Sequence, residues 1–341
     1  MENTIADIIG HPINKDIFSN SLQGLLLLKK GTILNQAHIE LLEKHHVNPS
    51  ESILPIADHS LSLSIDKNYH SLLDEVKDVF PFILQKKDEG VEQLLTHFKQ
   101  IIELCLQDFS VLDIIHKNPS QSDYIYEHSI NVGIISAMIG KVLGYSTKHC
   151  QLLGQMGLFH DIGMLSIDPA ITKKKSKLTL KEYKEIQKHT VIGKSMLFHV
   201  IQLDILVSRT ALLHHEQING KGYPCNRSEK DIPFLIQIVS VADKFNSMCT
   251  SYTYKEKKSY FEAINELIND AYGNALNPAI VIPFTQFIMR KQLFKKVKLN
   301  NNETAEIIFI HQNEPHLPLI RLKNRYIDLR KAAPLKITSL A

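Results

Sequence analysis

The sequence predicts a mainly α-helical protein: a helical bundle with a small α+β unit before it and a short β-rich appendix after it. Three observations carry this prediction. Apolar residues recur at helical spacing through the middle of the chain, capping signals bound those stretches, and short strand-like segments separated by Asn and Pro lie near the ends. With 341 residues the chain exceeds what one compact core usually holds, so two or three units are expected.

The amino-terminal part predicts the α+β unit and then long helices. A strand-like segment at 24–28 is followed by a turn and an amphipathic stretch, which gives a unit of residues 1–57. The polar, Ser-rich residues 58–68 are expected to be a linker. Apolar residues then recur at helical spacing over 94–105, so residues 58–118 are expected to hold a linker and helices.

Residues 119–295 carry the densest helical signals and are expected to form one helical domain. An apolar stripe begins at Ile130 and is closed by Gly144. A capping box at 179–182 precedes a helix that runs towards Phe198. The carboxy-terminal region then changes pattern, because short apolar pieces alternate with Asn and Pro. It is therefore expected to form a β-rich extension over residues 296–341.

Composition excludes several classes of protein. Lys and Arg total 39 against 36 Asp and Glu, a balance that does not suit a protein that coats nucleic acid, so no DNA or RNA partner is expected. The longest apolar stretches are far shorter than the roughly 18 residues that a membrane span needs, so no membrane contact is expected. The four cysteines form no CxxC pair, and the amino terminus shows no secretion signal. We therefore expect neither disulfides nor a zinc ribbon, and a cytoplasmic location.

The unusual feature of the composition is its 17 histidines. A single histidine on a helix is more often a satisfied polar group than a metal ligand. Two adjacent pairs, however, stand beside helix-ending glycines, where neighbouring side chains can share a target. Five histidines and two aspartates of the helical region form one candidate set: His128, His160, Asp161, His189, His214, His215 and Asp243.

The candidate set has the donors of a two-metal centre. Imidazole nitrogen and carboxylate oxygen together suit Zn, Fe, Mn, Co or Ni, and a carboxylate can bridge two ions where an imidazole cannot. Two such ions would clamp a phosphodiester, lower the pKa of a bridging water and stabilise the charge that develops on the attacking and leaving oxygens. The expected chemistry is metal-assisted hydrolysis of a phosphate ester.

Several short motifs surround the candidate residues. They are His160-Asp161-Ile162-Gly163, Lys177-Leu178-Thr179 with His189, His214-His215-Glu216 with the loop Asn219-Gly220-Lys221-Gly222-Tyr223-Pro224, and Val241-Ala242-Asp243. As a spaced set these motifs resemble the HD-GYP family, the HD-domain phosphohydrolases that hydrolyse the bacterial second messenger cyclic di-GMP. The resemblance covers roughly residues 120–255 and implies an all-α bundle, which agrees with the helical periodicity.

The resemblance also implies roles for the candidate residues. Two divalent ions, iron or manganese, are the expected cofactors. Asp161 and His160 are the expected catalytic residues, and Asp161 bridges the ions. A cyclic dinucleotide is the expected substrate, opened to pGpG and then, in some family members, to GMP. The flanking units are expected to regulate the domain or to hold a homodimer or a signalling partner. The implied ligands of the first ion are His128, His160, Asp161 and Asp243, those of the second are His189, His214 and His215, and the substrate pocket is shaped by Gly222, Tyr223 and Pro224.

Four positions depart from the family pattern. Met164 stands where a phosphate-contacting Lys is usual, Asn219 where Asp is usual, and Gln237 where Arg is usual. Tyr124 occupies the position of a Glu that holds a third metal in some members, so two ions are expected. Loss of one transition-state donor can cost on the order of 10² to 10³ in rate, so reduced activity is expected. A catalytically weak or inactive protein that acts as a cyclic di-GMP sensor or interaction module stays open, as does another HD-type substrate.

Overall fold

The computed structural model describes residues 13, 16–19, 25–45, 47, 59–107, 123–174, 176–250 and 257–341, without the side chains of 59–67. It confirms the mainly α-helical fold class, with a small β pair near the amino terminus and a small sheet at the carboxy terminus. By internal contacts the chain divides into two compact units, Met1–Ser64 and Ile65–Ala341. The boundary expected between residues 118 and 119 lies outside the described residues. Among the described helices, none combines the length and the apolar character that crossing a membrane requires.

The described residues of the first unit include an antiparallel pair of strands and a helix. Strands β1 (Ile17–Phe18) and β2 (Leu26–Leu28) pair antiparallel. Helix α1 (Gln36–Lys44) begins after Asn35, whose side chain accepts a hydrogen bond from the His38 amide at 2.9 Å. This cap supplies one partner for the free amides of the first helical turn. The unit packs around a small apolar core of Ile13, Ile17, Leu28, Leu34 and Leu42.

Helix α2 (His59–Leu84) includes the stretch that the sequence predicts as a linker. The structure differs from the prediction here because neither Gly nor Pro occurs between residues 56 and 80, so nothing in the local sequence interrupts the helix. Helix α3 (Val91–Gln107) buries one face, from Val91 to Cys105, and packs on the central helices α4 (Tyr124–Val142) and α5 (Thr147–Phe159). Helix α3, and α2 from Ile65 onward, are therefore part of the same compact unit as the central helices.

Helices α4 and α5 pack closely because glycines replace side chains where they touch. A Cβ at Gly133 would lie 2.7 Å from the Gly154 carbonyl oxygen and 2.7 Å from the Phe98 ring, and one at Gly157 would lie 2.7 Å from the Gly133 Cα. Helix α4 is buried on every face from residue 128 to 140, although the sequence indicates one apolar stripe. A helix that is surrounded by others needs no polar face.

In the described part of the second unit, seven further α-helices follow α5. They are α6 (Pro169–Thr172), α7 (Leu180–Gln187), α8 (His189–Leu197), α9 (Ile205–Leu213), α10 (Phe234–Cys249), α11 (Tyr260–Tyr272) and α12 (Pro278–Arg290). The predicted capping box is confirmed: Thr179 and Glu182 exchange side-chain and backbone hydrogen bonds at the start of α7. The helix predicted to run on towards Phe198 breaks at Lys188, so that α8 begins at His189.

The carboxy-terminal residues form an antiparallel sheet. Its strands are β3 (Lys296–Leu299), β4 (Thr304–Phe309), β5 (Leu319–Leu322), β6 (Arg325–Asp328) and β7 (Ile337–Leu340). Their order in the sheet is β6-β5-β4-β3-β7. The three strand-like pieces of the sequence analysis correspond to β4, β5 and β6, and β3 and β7 were not recognised from the sequence. Alternating side chains such as Val297 and Leu299 face the core of the sheet, as expected for a sheet with one covered face.

Candidate metal centre

Five helices bring all seven candidate residues to one place. Helix α4 contributes one histidine from its buried interior, α5 and α9 each end in a pair, α8 begins with a histidine, and α10 contributes an aspartate from its middle. Their donor atoms form two clusters, each with all atoms within 4.8 Å of one another. Cluster 1 is His128, His160 and Asp243, and cluster 2 is Asp161, His189, His214 and His215.

The donor atoms within each cluster have the spacing of ligands around a common centre. In cluster 1 the His128 Nε2 lies 3.1 Å from Asp243 Oδ1, and the His160 Nε2 lies 3.8 Å from the same oxygen. In cluster 2 the Nε2 atoms of His189 and His214 are 3.4 Å apart. Two donors about 2.1 Å from one cation and at right angles to each other would be about 3 Å apart.

Asp161 faces both clusters, one with each carboxylate oxygen. Its Oδ1 lies 3.1 Å from His189 Nε2 and 3.4 Å from His214 Nε2. Its Oδ2 lies 3.6 Å from His160 Nε2 and 3.8 Å from His128 Nε2. A carboxylate in this position can bind two ions at once, which an imidazole cannot do.

Backbone and amide groups orient four of the histidines. The Nδ1 atoms of His160, His189 and His214 lie 2.7, 2.7 and 3.0 Å from backbone carbonyl oxygens within their own turns. The Nδ1 of His128 instead lies 2.8 Å from the side-chain amide of Asn246. In a neutral imidazole, an Nδ1–H that donates to a carbonyl leaves Nε2 free to bind a cation, and in these residues it is Nε2 that points into the clusters.

The electrostatics of the centre favour bound positive charge. Burial opposes ionisation of Asp161 and Asp243, but the surrounding histidines outweigh it and hold the pKa of both carboxyls well below the usual range. Burial lowers the pKa of His214 and His215. Burial also opposes the charge on His160, yet the two aspartates prevail and raise its pKa to about 9.

Among the described residues, two buried atoms at the centre lack a hydrogen-bond partner, His160 Nε2 and Asp161 Oδ1. The carboxylate oxygens nearest to His160 Nε2 are 3.6 and 3.8 Å away. Unsatisfied buried polar atoms are rare and need an explanation. A pair of divalent cations would satisfy them, so the residues present fit such ions.

The loop after cluster 2 places an aromatic ring over the cluster. Tyr223 stacks on His215 with ring centroids 4.7 Å apart and an interplanar angle of 28°. Its backbone N–H donates to the His215 carbonyl oxygen at 3.3 Å. Burial raises the pKa of Tyr223, so its hydroxyl is neutral. Gly222 and Pro224, the other predicted pocket residues, lie in the same loop.

A cavity of about 900 Å³ opens onto the centre, a size typical of small-molecule sites. One face of α10 lines it through residues at helical spacing, Ser240, Asp243, Lys244 and Ser247. The loop residues Gly222, Tyr223 and Pro224 line it as the sequence analysis expects, together with Lys221. The lining of the cavity therefore includes residues of both clusters and two lysines, Lys221 and Lys244.

At three of the four positions that depart from the family pattern, the structure shows a contact made by the residue that is present. Gln237 is buried, and its amide donates to the Ile232 carbonyl at 2.8 Å while its oxygen accepts from Asn277 at 2.9 Å. Tyr124 stacks on His128 with centroids 5.4 Å apart. Asn219 accepts a hydrogen bond from the Lys221 amide at 3.0 Å. Nothing in the structure explains Met164, which lies in the 3₁₀ turn after Asp161.

Sequence reasoning missed three residues of the site: Glu216, Lys244 and Asn246. Glu216 is buried and accepts two backbone hydrogen bonds from the loop. Lys244 lines the cavity and pairs with Asp270. Lys244 lies four residues after Ser240 and three before Ser247, so it shares their helix face, but no candidate residue stands at that spacing from it. The contact of Asn246 is with a residue 118 positions away and leaves no local signal.

Comparison with known proteins agrees with the geometry. Residues 111–279 match the model of the HD domain family, and the resemblance recognised from the motifs is confirmed. The chain is 31% identical over 208 residues to a cyclic di-GMP phosphodiesterase of Thermotoga maritima, covering 60% of this chain and 53% of that protein. It is 28% identical over 199 residues to the cyclic di-GMP phosphodiesterase PdeB of Borreliella burgdorferi, covering 58% and 52%. The chain thus spans about half the length of these relatives.

Among solved structures, Bd1817, an HDG"Y"P protein from Bdellovibrio bacteriovorus, has a similar fold. The TM-score is 0.58 at 17% sequence identity, and the alignment covers 84% of this chain and 98% of that one. At this identity the likeness concerns the fold alone.

Proposed function

We propose, from the match of residues 111–279 to the HD domain model, that this chain is a metal-dependent phosphodiesterase that hydrolyses cyclic di-GMP to pGpG. The observation that carries the proposal is the position of Asp161, whose two oxygens face two separate donor clusters. The names of the relatives support the substrate, since both are cyclic di-GMP phosphodiesterases. The proposed location is the cytoplasm, where cysteines stay reduced, and the four cysteines are free thiols.

The proposed ligand sets follow the two clusters. Cluster 1 with Asp161 Oδ2 would hold one cation, and the histidines of cluster 2 with Asp161 Oδ1 would hold the other. Iron or manganese is proposed from the resemblance to the HD-GYP family, and the imidazole and carboxylate donors suit these metals among others. Bound there, two divalent cations would supply Lewis-acid charge to the phosphate and a nucleophile at neutral pH.

The residues around the clusters would bind and orient the substrate. Tyr223 offers a half-buried ring and a neutral hydroxyl at the cavity wall beside His215. Lys221 and Lys244 line the same cavity and would attract the phosphates, where Met164 offers no charge. The pairing of Lys244 with Asp270 holds its ammonium near that wall and offsets part of its charge.

The decisive experiment is hydrolysis by the purified chain after anaerobic loading with Fe²⁺ or with Mn²⁺. Product analysis should show pGpG, and Asp161→Ala or His160→Ala should reduce the rate to background. The exposed His199 provides the matched control, since His199→Ala removes an imidazole that lies outside the clusters. Absence of product with either metal would refute the proposal, and product from cyclic GMP-AMP alone would change the substrate.

The second candidate function is a receptor that binds cyclic di-GMP without turnover, and Met164 is the observation that favours it. A substrate phosphate that meets no charge at this position loses one transition-state contact, worth on the order of 10² to 10³ in rate. Met164→Lys should therefore raise kcat by at least about tenfold if the chain is an enzyme. Tight binding by equilibrium dialysis, with no product from either form, would establish the receptor instead.

A further inference from the structure

The buried carboxylate of Glu216 pins the loop that carries Tyr223. Glu216 is only 4% exposed, although it directly follows the two histidines of cluster 2. Its Oε1 accepts the Cys225 N–H at 2.6 Å and its Oε2 accepts the Arg227 N–H at 2.9 Å. Both oxygens are thus occupied by backbone donors from residues 9 and 11 positions later, and the carboxylate belongs to neither donor cluster.

Further contacts transmit the position of this carboxylate to the tyrosine. The Asn226 side chain, between the two pinned residues, donates to the Gly222 carbonyl oxygen at 2.6 Å. Gly222 in turn packs against the backbone on either side of Glu216, where a Cβ would approach Glu216 Cα and Gln217 N to 2.4 Å. The residue after Gly222 is Tyr223, whose ring lies on His215. The loop therefore closes on the chain segment that bears the ligands.

We propose that Glu216 is a positioning residue that fixes Tyr223 against His215 and so shapes the substrate-facing wall of the cavity. The proposal rests on the proposed function for its kinetic consequence. Because Glu216 touches backbone amides and no donor of either cluster, it acts on substrate binding through Tyr223 and leaves metal binding unchanged. A carboxylate suits this task, since it offers two acceptor oxygens and each takes one backbone N–H.

The test combines Glu216→Gln and Tyr223→Ala in a double-mutant cycle. Gln has the same shape, but its NH₂ group would face one of the two backbone donors and break that hydrogen bond. We expect Glu216→Gln to raise KM about 10-fold or more with a smaller change in kcat and an unchanged metal content. The double variant should match Tyr223→Ala alone. Independent effects that multiply, or loss of metal in Glu216→Gln, would overturn the proposal.

A second measurement separates this proposal from the proposed function. Hydrogen exchange followed by mass spectrometry should show faster exchange over residues 217–227 in Glu216→Gln, with α9 and α10 unchanged, whether or not the chain hydrolyses a cyclic dinucleotide. Unchanged exchange in this loop would overturn the role of Glu216 even if hydrolysis is found. Glu229→Gln is the matched control, since Glu229 is exposed and its Oε1 accepts from Asn277 at 3.3 Å.

A variant on the loop side covers the case in which Glu216→Gln fails to fold. Asn226→Gly removes the hydrogen bond to the Gly222 carbonyl and tolerates the positive φ of 53° at this position. It leaves every buried charge in place. We expect the same rise in KM and the same local increase in exchange, and wild-type values of both would contradict the proposal.

Discussion

Substitution of Gly222 by alanine should separate the geometry of the loop from the chemistry of the centre. A Cβ at this position would lie 2.4 Å from Gln217 N, 2.4 Å from Glu216 Cα and 2.5 Å from the His215 carbonyl oxygen. All three are backbone atoms, so no side-chain rotation can relieve the overlap. An ordinary contact of about 3.5 Å requires the loop to move by about 1 Å.

A displacement of this size is large for a binding wall. A misplacement of about 1 Å can cost on the order of 10² in rate, and we expect a loss of that order in kcat/KM for Gly222→Ala. Both metal ions should remain, because every predicted ligand except His215 lies within a helix or at a helix cap, and residues 217–227 carry none. The assay is steady-state hydrolysis of cyclic di-GMP, with metal content measured on the same sample.

Gly273→Ala is the control for the general cost of replacing a glycine. There the nearest atom to a new Cβ is the Asn269 carbonyl oxygen at 3.3 Å, and the position lies outside the residues that line the cavity. We expect its kcat/KM to stay within about threefold of wild type. A Gly222→Ala protein with wild-type kcat/KM, or one that loses its metal, would refute the reasoning.

Three further predictions concern the metal affinity of the centre, the reactivity of two cysteines and the pH dependence of thermal stability. Asn246→Ala removes the buried amide that contacts the histidine of α4, and metal affinity measured by titration should fall about 10- to 100-fold. Burial raises the pKa of Cys249 to about 12, so at pH 8 iodoacetamide should modify the exposed Cys225 and not Cys249, as read by mass spectrometry. Lys174 lowers the pKa of Glu182 to about 2. Because this pKa is depressed, the Tm difference between wild type and Glu182→Gln should be full above about pH 4.5 and shrink as the pH falls towards 2.

Much of the centre could be predicted because its chemistry depends on residue type. Imidazoles and carboxylates beside helix ends are visible in a sequence, and all seven predicted residues meet. The capping box at Thr179 was predictable for a similar reason, since its signal lies within four residues. The family motifs added the division into two ligand sets, and the two oxygens of Asp161 face those same two sets.

The rest depends on contacts that a sequence does not record. In the sequence Glu216 is only one residue of a motif. Its proposed role depends on its hydrogen bonds to the backbone of residues 225 and 227, which exist only in the folded loop. Burial of α4 on all faces follows from the helices around it and not from its own periodicity. Strand β7 has no strong pattern of its own and forms because β3 offers a free edge.

The glycine contact between α4 and α5 bears on how loss-of-function alleles should be read. Every substitution at Gly133 adds a Cβ within 2.7 Å of a backbone oxygen, so the position admits no side chain. His128 and His160 sit on these two helices with ring centroids 5.1 Å apart, and a wider spacing would pull them from one another. A random mutagenesis screen should therefore recover Gly133 and Gly157 alongside the histidines. Inactivation by substitutions at these glycines would then result from a changed distance between α4 and α5, and not from the loss of a catalytic side chain.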